Sequence, residues 1–360
     1  MNDRNDSSVQ PGTAASAQEI DALVRLFTAH LGLCKVKPGE RVAILTEGGQ
    51  FSSRVAAYET AISALGAYPQ HVDFCAADGT ANPAQRLANV GRSGLGTDRR
   101  AMQLLKEADL VIDMMLLLFS HEQIEIQKAG ARIVLVVEPT DNLVRLFPTE
   151  DLRRRVEAAE RRLAVAHTLR FTNAVGTDVT YEVQGREILT EYGYSDTPGR
   201  WDHWPGGFLA TTARPAGVTG CVVLDAGDIV YPLMKQLTEP ITFDIEKGYI
   251  TAIRGGVEAA ALQAYIESYN DPRAYAISHI GWGLNESCVW SVDLPGIGMD
   301  GRAYYGNVLF STGPDTEFGG SNDTPCHLDM PMRNCTLMLD GEIIVEQGRV
   351  VPADMRANGR

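Results

Sequence analysis

The sequence lacks the features that mark disulfide-stabilised, membrane-spanning and nucleic-acid-binding proteins. Its six cysteines form no Cys-x-x-Cys pair, which favours reduced thiols over a zinc knot or a disulfide framework. The longest apolar run, residues 114–119, is far too short to cross a bilayer. The formal charge of −14 excludes the basic face that binding to a phosphate backbone requires. We therefore expect a cytoplasmic protein with no membrane or nucleic-acid partner.

The length of the chain indicates more than one domain. Residues 1–15 are polar and lack the apolar core of a signal peptide, so we expect a disordered tail there. The 360 residues, 44% of them hydrophobic, exceed what one core usually supports. A charged helix predicted over 149–164 separates two patterns, and we place an α/β domain at 16–165 and an α+β domain at 166–360.

The first pattern alternates apolar strands with amphipathic helices. Near-continuous Val, Ile and Leu runs between helices are typical of a parallel sheet covered on both faces. The predicted strands are 41–45, 70–74, 110–116 and 131–137, and the predicted helices are 16–33, 52–65, 98–108 and 121–130. The N-terminal domain is therefore expected to contain a mostly parallel sheet.

The second pattern consists of short strands and glycine-rich turns, with one helix predicted at 257–268, and it favours antiparallel pairing. The predicted strands are 168–172, 178–183, 220–224, 241–245, 249–254, 304–310, 335–339 and 342–346. The glycines at 296–301 have the spacing of a dinucleotide-binding motif, but they follow a proline and precede a predicted strand, whereas that motif requires a helix after it. We interpret them as a loop.

A metal site is predicted from three residues near the C-terminus. His327 and Asp329 lie two residues apart, so in an extended backbone their side chains point to the same side. His279, in a glycine-rich setting, is the third candidate. Two imidazoles and one carboxylate form the facial triad of non-haem Fe(II) oxygenases. Taken singly, a His-x-Asp pair is more often a chance or capping arrangement, and His279 is equally well explained as a hydrogen-bonded core histidine.

Three segments resemble the C-terminal motifs of the thermophilic metallo-aminopeptidase superfamily. They are Ser-His-Ile-Gly-Trp-Gly-Leu-Asn at 278–285, Gly-Asn-Val-Leu-Phe-Ser-Thr-Gly at 306–313 and Gly-Gly-Ser-Asn-Asp-Thr-Pro-Cys-His-Leu-Asp-Met at 319–330. The resemblance implies the fold of that superfamily, with a parallel α/β N-terminal domain and an α+β C-terminal domain rich in antiparallel strands.

The departures from that superfamily change the expected function. Two acids and one histidine among the family's ligands to two metal ions appear here as Phe208, His279 and Leu309, whereas His327 and Asp329 remain. Two hydrolytic metal ions need a bridging carboxylate and a full ligand set. The pattern that is left resembles the branch of 2,5-dihydroxypyridine 5,6-dioxygenases. This resemblance implies one Fe(II), a small aromatic N-heterocyclic substrate, O2, and ring opening to N-formylmaleamate.

Ring opening of this kind needs a protein acid or base near the substrate. We choose His121 for that role because it follows the carboxyl end of a predicted strand, where open α/β sheets bind ligands; a surface histidine is an equally good reading. His203, beside the lost carboxylate, and Ser311 are candidate substrate-binding residues. Three aromatic residues could wall the substrate ring, although packing is their commoner role: Phe119, Trp204 and Trp282.

Two other functions remain open. A metal-dependent aminopeptidase that recruits different ligands would hold two zinc or cobalt ions per chain, whereas the oxygenase would hold one iron. A catalytically inactive relative would only bind a ligand or partner, but retention of all three candidate ligands in glycine-rich segments argues against it. By analogy with such families we also expect a homo-oligomer.

Overall fold

A computed structural model describes residues 17–77 and 79–358 of the chain. The tail predicted at residues 1–15 lies outside these residues. Within the described part of the chain, no helix is both long and apolar enough to cross a membrane.

Nine α-helices and twenty strands are found in the described residues. The helices are α1 (Ala17–Leu33), α2 (Ser52–Ala64), α3 (Pro83–Leu87), α4 (Arg99–Lys106), α5 (His121–Lys128), α6 (Thr140–Arg145), α7 (Glu150–Leu163), α8 (Val257–Glu267) and α9 (Met299–Arg302). The strands are β1 (Arg41–Glu47), β2 (Tyr68–Phe74), β3 (Leu110–Asp113), β4 (Arg132–Leu135), β5 (Thr168–Thr172), β6 (Asp178–Glu182), β7 (Ile188–Glu191), β8 (Trp201–His203), β9 (Phe208–Thr212), β10 (Val218–Leu224), β11 (Ile229–Val230), β12 (Lys235–Gln236), β13 (Ile241–Glu246), β14 (Tyr249–Gly255), β15 (Ile277–Gly283), β16 (Val308–Thr312), β17 (Leu328–Met332), β18 (Thr336–Leu339), β19 (Glu342–Glu346) and β20 (Arg349–Val350).

The predicted parallel sheet is present, in the order β2-β1-β3-β4-β8. Alternate residues of β1 enter the hydrophobic clusters on its two faces, with Val42 on one side and Ala43 on the other. Its last strand, β8, comes from beyond residue 166 and runs parallel to β4. The second half of the chain thus completes the sheet of the first half. The boundary at residue 165 stays a prediction.

Antiparallel sheets dominate the rest of the chain. One has eight strands in the order β14-β13-β10-β6-β5-β18-β19-β20, and the other has five in the order β17-β16-β15-β9-β7. The predicted fold class is therefore confirmed. The sequence reading missed β7, β8 and β9, because these short strands are separated by a segment rich in glycine, proline and aromatic residues.

The turn after β3 begins earlier than predicted. The predicted strand ran to residue 116, but β3 ends at Asp113. The buried carboxylate of Asp113 accepts hydrogen bonds of 2.8–2.9 Å from the backbone N–H groups of Met115, Leu116 and Leu117. These bonds fold the chain back on itself, and Leu116 takes a left-handed backbone with φ of 69°. The turn leads into residues 117–120, which border the cavity described below.

The glycine motif at 296–301 is a loop only in its first part. Gly298 has φ of 94° and is followed by the short helix α9, so the predicted loop is wrong for residues 299–302. The ring of Tyr231 lies where a Cβ would stand on Gly298 or Gly301. These glycines therefore allow the loop to pack closely on Tyr231. This packing places Arg302, the last residue of α9, in the core.

Gly281 provides a test of how tightly the five-stranded sheet is packed. A Cβ added at Gly281 would collide with the backbone carbonyl oxygen of Leu209 on β9. We expect Gly281→Ala to lower the free energy of unfolding by about 1–3 kcal/mol, since a backbone neighbour cannot move aside as a side chain can. Chemical denaturation would measure the change.

The matched control is Gly32→Ala in α1. No atom lies within 4 Å of a Cβ built on Gly32. Alanine is the better helix former, so this variant should be as stable as the parent protein or slightly more stable. Equal stability of both variants would show that the β9–β15 contact does not require glycine.

Candidate metal centre

The three predicted ligands meet on neighbouring strands. His279 lies within β15, while His327 directly precedes β17 and Asp329 lies within it. Strand β16 pairs with both β15 and β17. The antiparallel sheet therefore brings together side chains that are about fifty residues apart in the sequence.

An irregularity in β15 orients His279. The register between β15 and β16 shifts between Ile277 and Ile280. Within this shift the Ser311 hydroxyl accepts a hydrogen bond of 2.9 Å from the His279 N–H and donates one of 2.8 Å to the His279 carbonyl. A bulge of this kind re-aims a side chain. Ser311 is fully buried, and its hydroxyl holds the backbone of His279.

The donor atoms converge on one point. Nε2 of His279 and Nε2 of His327 each lie 3.3 Å from the same oxygen, Oδ1 of Asp329. All three residues are at least nine-tenths buried. Asp329 Oδ1 nevertheless accepts no hydrogen bond of good geometry. Buried polar atoms normally have partners, so this cluster fits a shared cation that all three residues would ligate.

Two further contacts fix the orientation of these ligands. Nδ1 of His327 donates a hydrogen bond of 3.0 Å to the carbonyl of Thr312, which leaves the lone pair on Nε2 for a metal. Nε of Arg302 donates a hydrogen bond of 2.6 Å to Oδ2 of Asp329, which leaves Oδ1 for the same metal. Arg302 is itself buried and stacks over Tyr231 at 4.3 Å.

The local charges keep Asp329 ionised and His279 neutral. Burial alone raises the pKa of Asp329, but the adjacent His327 and Arg302 outweigh it and hold the pKa well below its usual value. Burial lowers the pKa of His279, and the adjacent Asp329 offsets only part of this lowering. Metal binding requires a carboxylate and neutral imidazoles, so these shifts favour it.

A small cavity, with about 40 Å³ open to the centre of a water-sized sphere, lies in front of the three ligands. Its wall is largely apolar, with a few polar groups, as is usual for sites that bind small aromatic molecules. Besides the three ligands, the lining residues are Leu87, Leu118, Phe119, Leu135, Leu189, Glu191, Trp201, His203, Phe208, Ala210, Ile297, Met299, Arg302, Glu317 and Phe318.

His203 lies in this cavity, as expected, at the end of β8. It is 3% exposed, and its Nε2 has no hydrogen-bond partner. Burial, together with the charge of Arg302, lowers the pKa of His203 to about 3. The nearest acid is Glu191 at the end of β7, whose Oε2 lies 3.9 Å from His203 Nδ1. His203 therefore presents a neutral imidazole to the cavity.

His121 is not part of the cavity wall. It is the first residue of α5, its side chain is 73% exposed, and its Nε2 lies 3.6 Å from Asp323. The preceding loop does reach the cavity, since the ring of Phe119 lies 4.8 Å from that of His327. The predicted position after a strand of the sheet is right, but in this structure the imidazole faces solvent.

The other predicted contacts differ from the sequence reading. Ser311 uses its hydroxyl on the backbone of His279 and does not line the cavity, so the structure gives it a supporting position behind a ligand. Trp204 and Trp282 are fully buried in the main core and do not line the cavity either. Of the three candidate aromatic walls, Phe119 alone borders the empty space.

Sequence reasoning missed three polar residues of the wall: Glu191, Arg302 and Glu317. Glu317 accepts hydrogen bonds from the Phe119 N–H at 2.8 Å and from Gln123 at 2.9 Å, so it ties the Phe119 loop to the C-terminal segment. Arg302 directly follows the glycine motif, which was the one available signal. Glu191 ends a strand that the pattern did not reveal.

Comparisons with known proteins identify the family. The family model for 2,5-dihydroxypyridine 5,6-dioxygenase matches residues 22–352. The chain belongs to this family. It is 44% identical over 342 residues to the 2,5-dihydroxypyridine 5,6-dioxygenase of Pseudomonas putida KT2440, covering 93% of this chain and 98% of that protein. The prediction of a dioxygenase is thereby confirmed at the level of the family.

Solved structures agree with this assignment. The structure of the dioxygenase from Pseudomonas putida KT2440 superposes with a TM-score of 0.89 at 43% identity, over 95% of this chain and 100% of that chain. Wild-type AmpT from Thermus thermophilus superposes with a TM-score of 0.61 at 14% identity, over 92% of this chain and 99% of that chain. The second likeness shows the fold alone, and it confirms the predicted superfamily architecture.

Arg302 allows a test of how the carboxylate ligand is held. We expect Arg302→Met to weaken metal binding by about 10–100-fold, because Asp329 loses the donor that orients it. Titration of the metal-free protein with Fe(II) or Zn(II) under anaerobic conditions would measure the affinity. Asp329→Asn should weaken binding further, since it removes the charged ligand itself.

Arg145→Met is the matched control for Arg302→Met. Arg145 pairs at 2.7 Å with Asp300, which lies in α9 as Arg302 does, but Arg145 does not line the cavity. The Arg145→Met variant should therefore keep a metal affinity within about threefold of the parent value. An equal loss in both variants would mean that loop stability, not the orientation of Asp329, sets the affinity.

Proposed function

We propose that this protein is a ring-cleaving dioxygenase that uses one Fe(II) to open 2,5-dihydroxypyridine, or a close hydroxylated relative, to N-formylmaleamate. The observation that carries the proposal is the convergence of His279, His327 and Asp329 on one point at the wall of an apolar cavity. The family supports the same reaction, because it is the family of 2,5-dihydroxypyridine 5,6-dioxygenases.

The three ligands fit iron. Two imidazoles and one carboxylate form the donor set of mononuclear Fe(II) oxygenases. Thr312 and Arg302 hold the remaining polar atoms of His327 and Asp329. When bound, Fe(II) supplies the redox chemistry that lets O2 react with the aromatic ring. The protein supplies a site in which the ligand oxygen Asp329 Oδ1 has no competing hydrogen bond.

The residues around the ligands bind and shield a flat ring. Phe119 and Phe318 cover the imidazoles of His327 and His279, with ring centroids 4.8 and 5.7 Å apart. Phe208 occupies the position of a carboxylate in the aminopeptidase pattern and adds apolar surface. Exclusion of water strengthens polar interactions inside the cavity. His203, with its free Nε2, is the wall residue that we propose to hydrogen-bond the substrate.

We propose that His121 transfers the protons that the reaction requires. The loop before it lines the cavity through Leu118 and Phe119, so His121 lies at the edge of the site. The role requires its imidazole to turn inward from the position beside Asp323 when substrate is bound.

An aminopeptidase is less well supported. Two metal ions need a bridging carboxylate and a full ligand set. Phe208 and His279 stand in place of the two acids of the aminopeptidase pattern and Leu309 in place of its histidine, and Phe208 and Leu309 are buried and apolar. Among the described residues, a single cluster of three or more potential ligands could hold a metal.

We further propose that the enzyme acts in the cytoplasm as a homo-oligomer.

Oxygen uptake tests the proposed activity. Protein loaded anaerobically with Fe(II) should bind about one iron per chain and consume O2 when 2,5-dihydroxypyridine is added, with N-formylmaleamate as the product. An oxygen electrode and mass spectrometry would measure both. Zinc-loaded protein serves as the control, because Zn(II) does not change its oxidation state. Absence of uptake with any hydroxylated pyridine or dihydroxybenzene would refute the proposal.

Matched substitutions separate the roles of the two histidines. His121→Gln should retain iron but lower kcat by at least about tenfold, because proton transfer is lost. His203→Gln should mainly raise KM, because it alters a hydrogen bond to the substrate. Steady-state kinetics and iron analysis would measure these effects. Unchanged turnover in His121→Gln would remove His121 from the mechanism.

A further inference from the structure

The cavity has a second polar end besides the metal ligands. Glu191 and His203 close strands β7 and β8 and are each 3% exposed. Glu191 Oε2 and His203 Nε2 have no hydrogen-bond partner. The two side chains approach through Glu191 Oε2 and the other ring nitrogen, His203 Nδ1, and this distance of 3.9 Å is too long for a hydrogen bond. Buried polar atoms without partners are costly unless a ligand pairs with them.

No group among the described residues satisfies the free atoms of this pair. Leu189 and Phe208 in the adjoining wall are apolar, and Trp201 carries a buried indole N–H that is itself without a partner. The nearby carboxylate of Asp202 is already engaged by Arg200 and by the N–H groups of Tyr192 and Gly193. The charge of Arg302 acts on both side chains, but its hydrogen bonds go to Asp329 and Ile297. Both side chains line the cavity, so a molecule held there would lie against the pair.

Substrates of the proposed class have an edge that matches this pair. A 2-hydroxypyridine also exists as a lactam, in which a ring N–H stands beside a C=O group. This edge offers one donor and one acceptor side by side, which the separated hydroxyl groups of 1,4-dihydroxybenzene do not. The free Oε2 of Glu191 can accept the N–H bond, and a neutral His203 can donate from Nε2.

We infer that Glu191 and His203 recognise the lactam edge of the substrate, with Glu191 accepting the ring N–H and His203 donating to the adjacent oxygen, and that this pair selects hydroxypyridines over dihydroxybenzenes. The inference rests on the proposed function and adds its source of specificity. A site with buried hydrogen-bonding groups rejects an analogue that leaves them unpaired far more strongly than an apolar wall does.

Burial raises the pKa of Glu191 well above its usual value, and the nearby Asp202 and Glu317 add to this. A neutral carboxyl group retains a carbonyl oxygen that can accept a hydrogen bond, so recognition of the N–H does not depend on the charge of Glu191. Glutamine has the same length and the same carbonyl oxygen. Methionine has the same length but no acceptor of comparable strength.

The test compares binding of 2,5-dihydroxypyridine and 1,4-dihydroxybenzene to zinc-loaded protein by anaerobic calorimetry. Zinc does not support turnover, so the measurement reports recognition alone. The parent protein should bind the pyridine at least about tenfold more tightly. Glu191→Gln should keep this preference, and Glu191→Met should reduce it to about threefold or less. Glu187→Met is the matched control, because Glu187 is exposed and directly precedes β7.

A second measurement needs no variant. 5-Hydroxy-1-methyl-2-pyridone has no ring N–H, and the parent protein should bind it at least about tenfold more weakly than 2,5-dihydroxypyridine. Equal binding of the pyridine and the benzene by the parent protein, or full preference in a folded Glu191→Met variant, would overturn the inference. Oxygen uptake by the iron-loaded parent protein would still support the proposed function in that case, so the two failures are distinguishable.

Discussion

The site depends on one carboxylate that is shared by three neighbours. Asp329 directs one oxygen at two imidazoles and gives the other to Arg302. A buried carboxylate of this kind is stable only because cationic or donor groups surround it. Arg302 reaches this position because the loop before α9 packs on Tyr231 without side chains at Gly298 and Gly301. The geometry of the metal centre therefore depends on a glycine-containing loop that contributes none of the three ligands.

The strands supply the remaining precision. His279 is not aimed by a regular ladder, since its backbone is held by the Ser311 hydroxyl at a register shift. The Ser311 hydroxyl bonds both the N–H and the carbonyl of His279, and it thereby replaces the β15–β16 pairing that is interrupted there. Elsewhere in the cavity wall, the ends of β7 and β8 contribute Glu191 and His203. Strands thus carry His279, Asp329 and this pair, whereas Arg302 lies at the end of α9.

Local pattern was sufficient to predict the fold class and the three candidate ligands, because apolar periodicity and a His-x-Asp spacing are visible in a single segment. It was insufficient for Arg302 and Glu191, whose positions arise from pairings between distant segments. Arg155, in the charged helix α7, shows the same limit. It is fully buried and pairs with Glu286, a partner 131 residues away. Burial of a charge can be judged only when its partner is known.

The origin of β8 has a consequence for protein engineering. Because residues 201–203 complete the parallel sheet of the N-terminal segment, a cut at residue 165 would leave that sheet with an unpaired edge at β4 and would remove His203 from its neighbours. Chimeras made by exchanging the first 165 residues between homologues would combine four strands of one parent with the fifth of another. Recombination between relatives of this protein should respect the β4–β8 pairing.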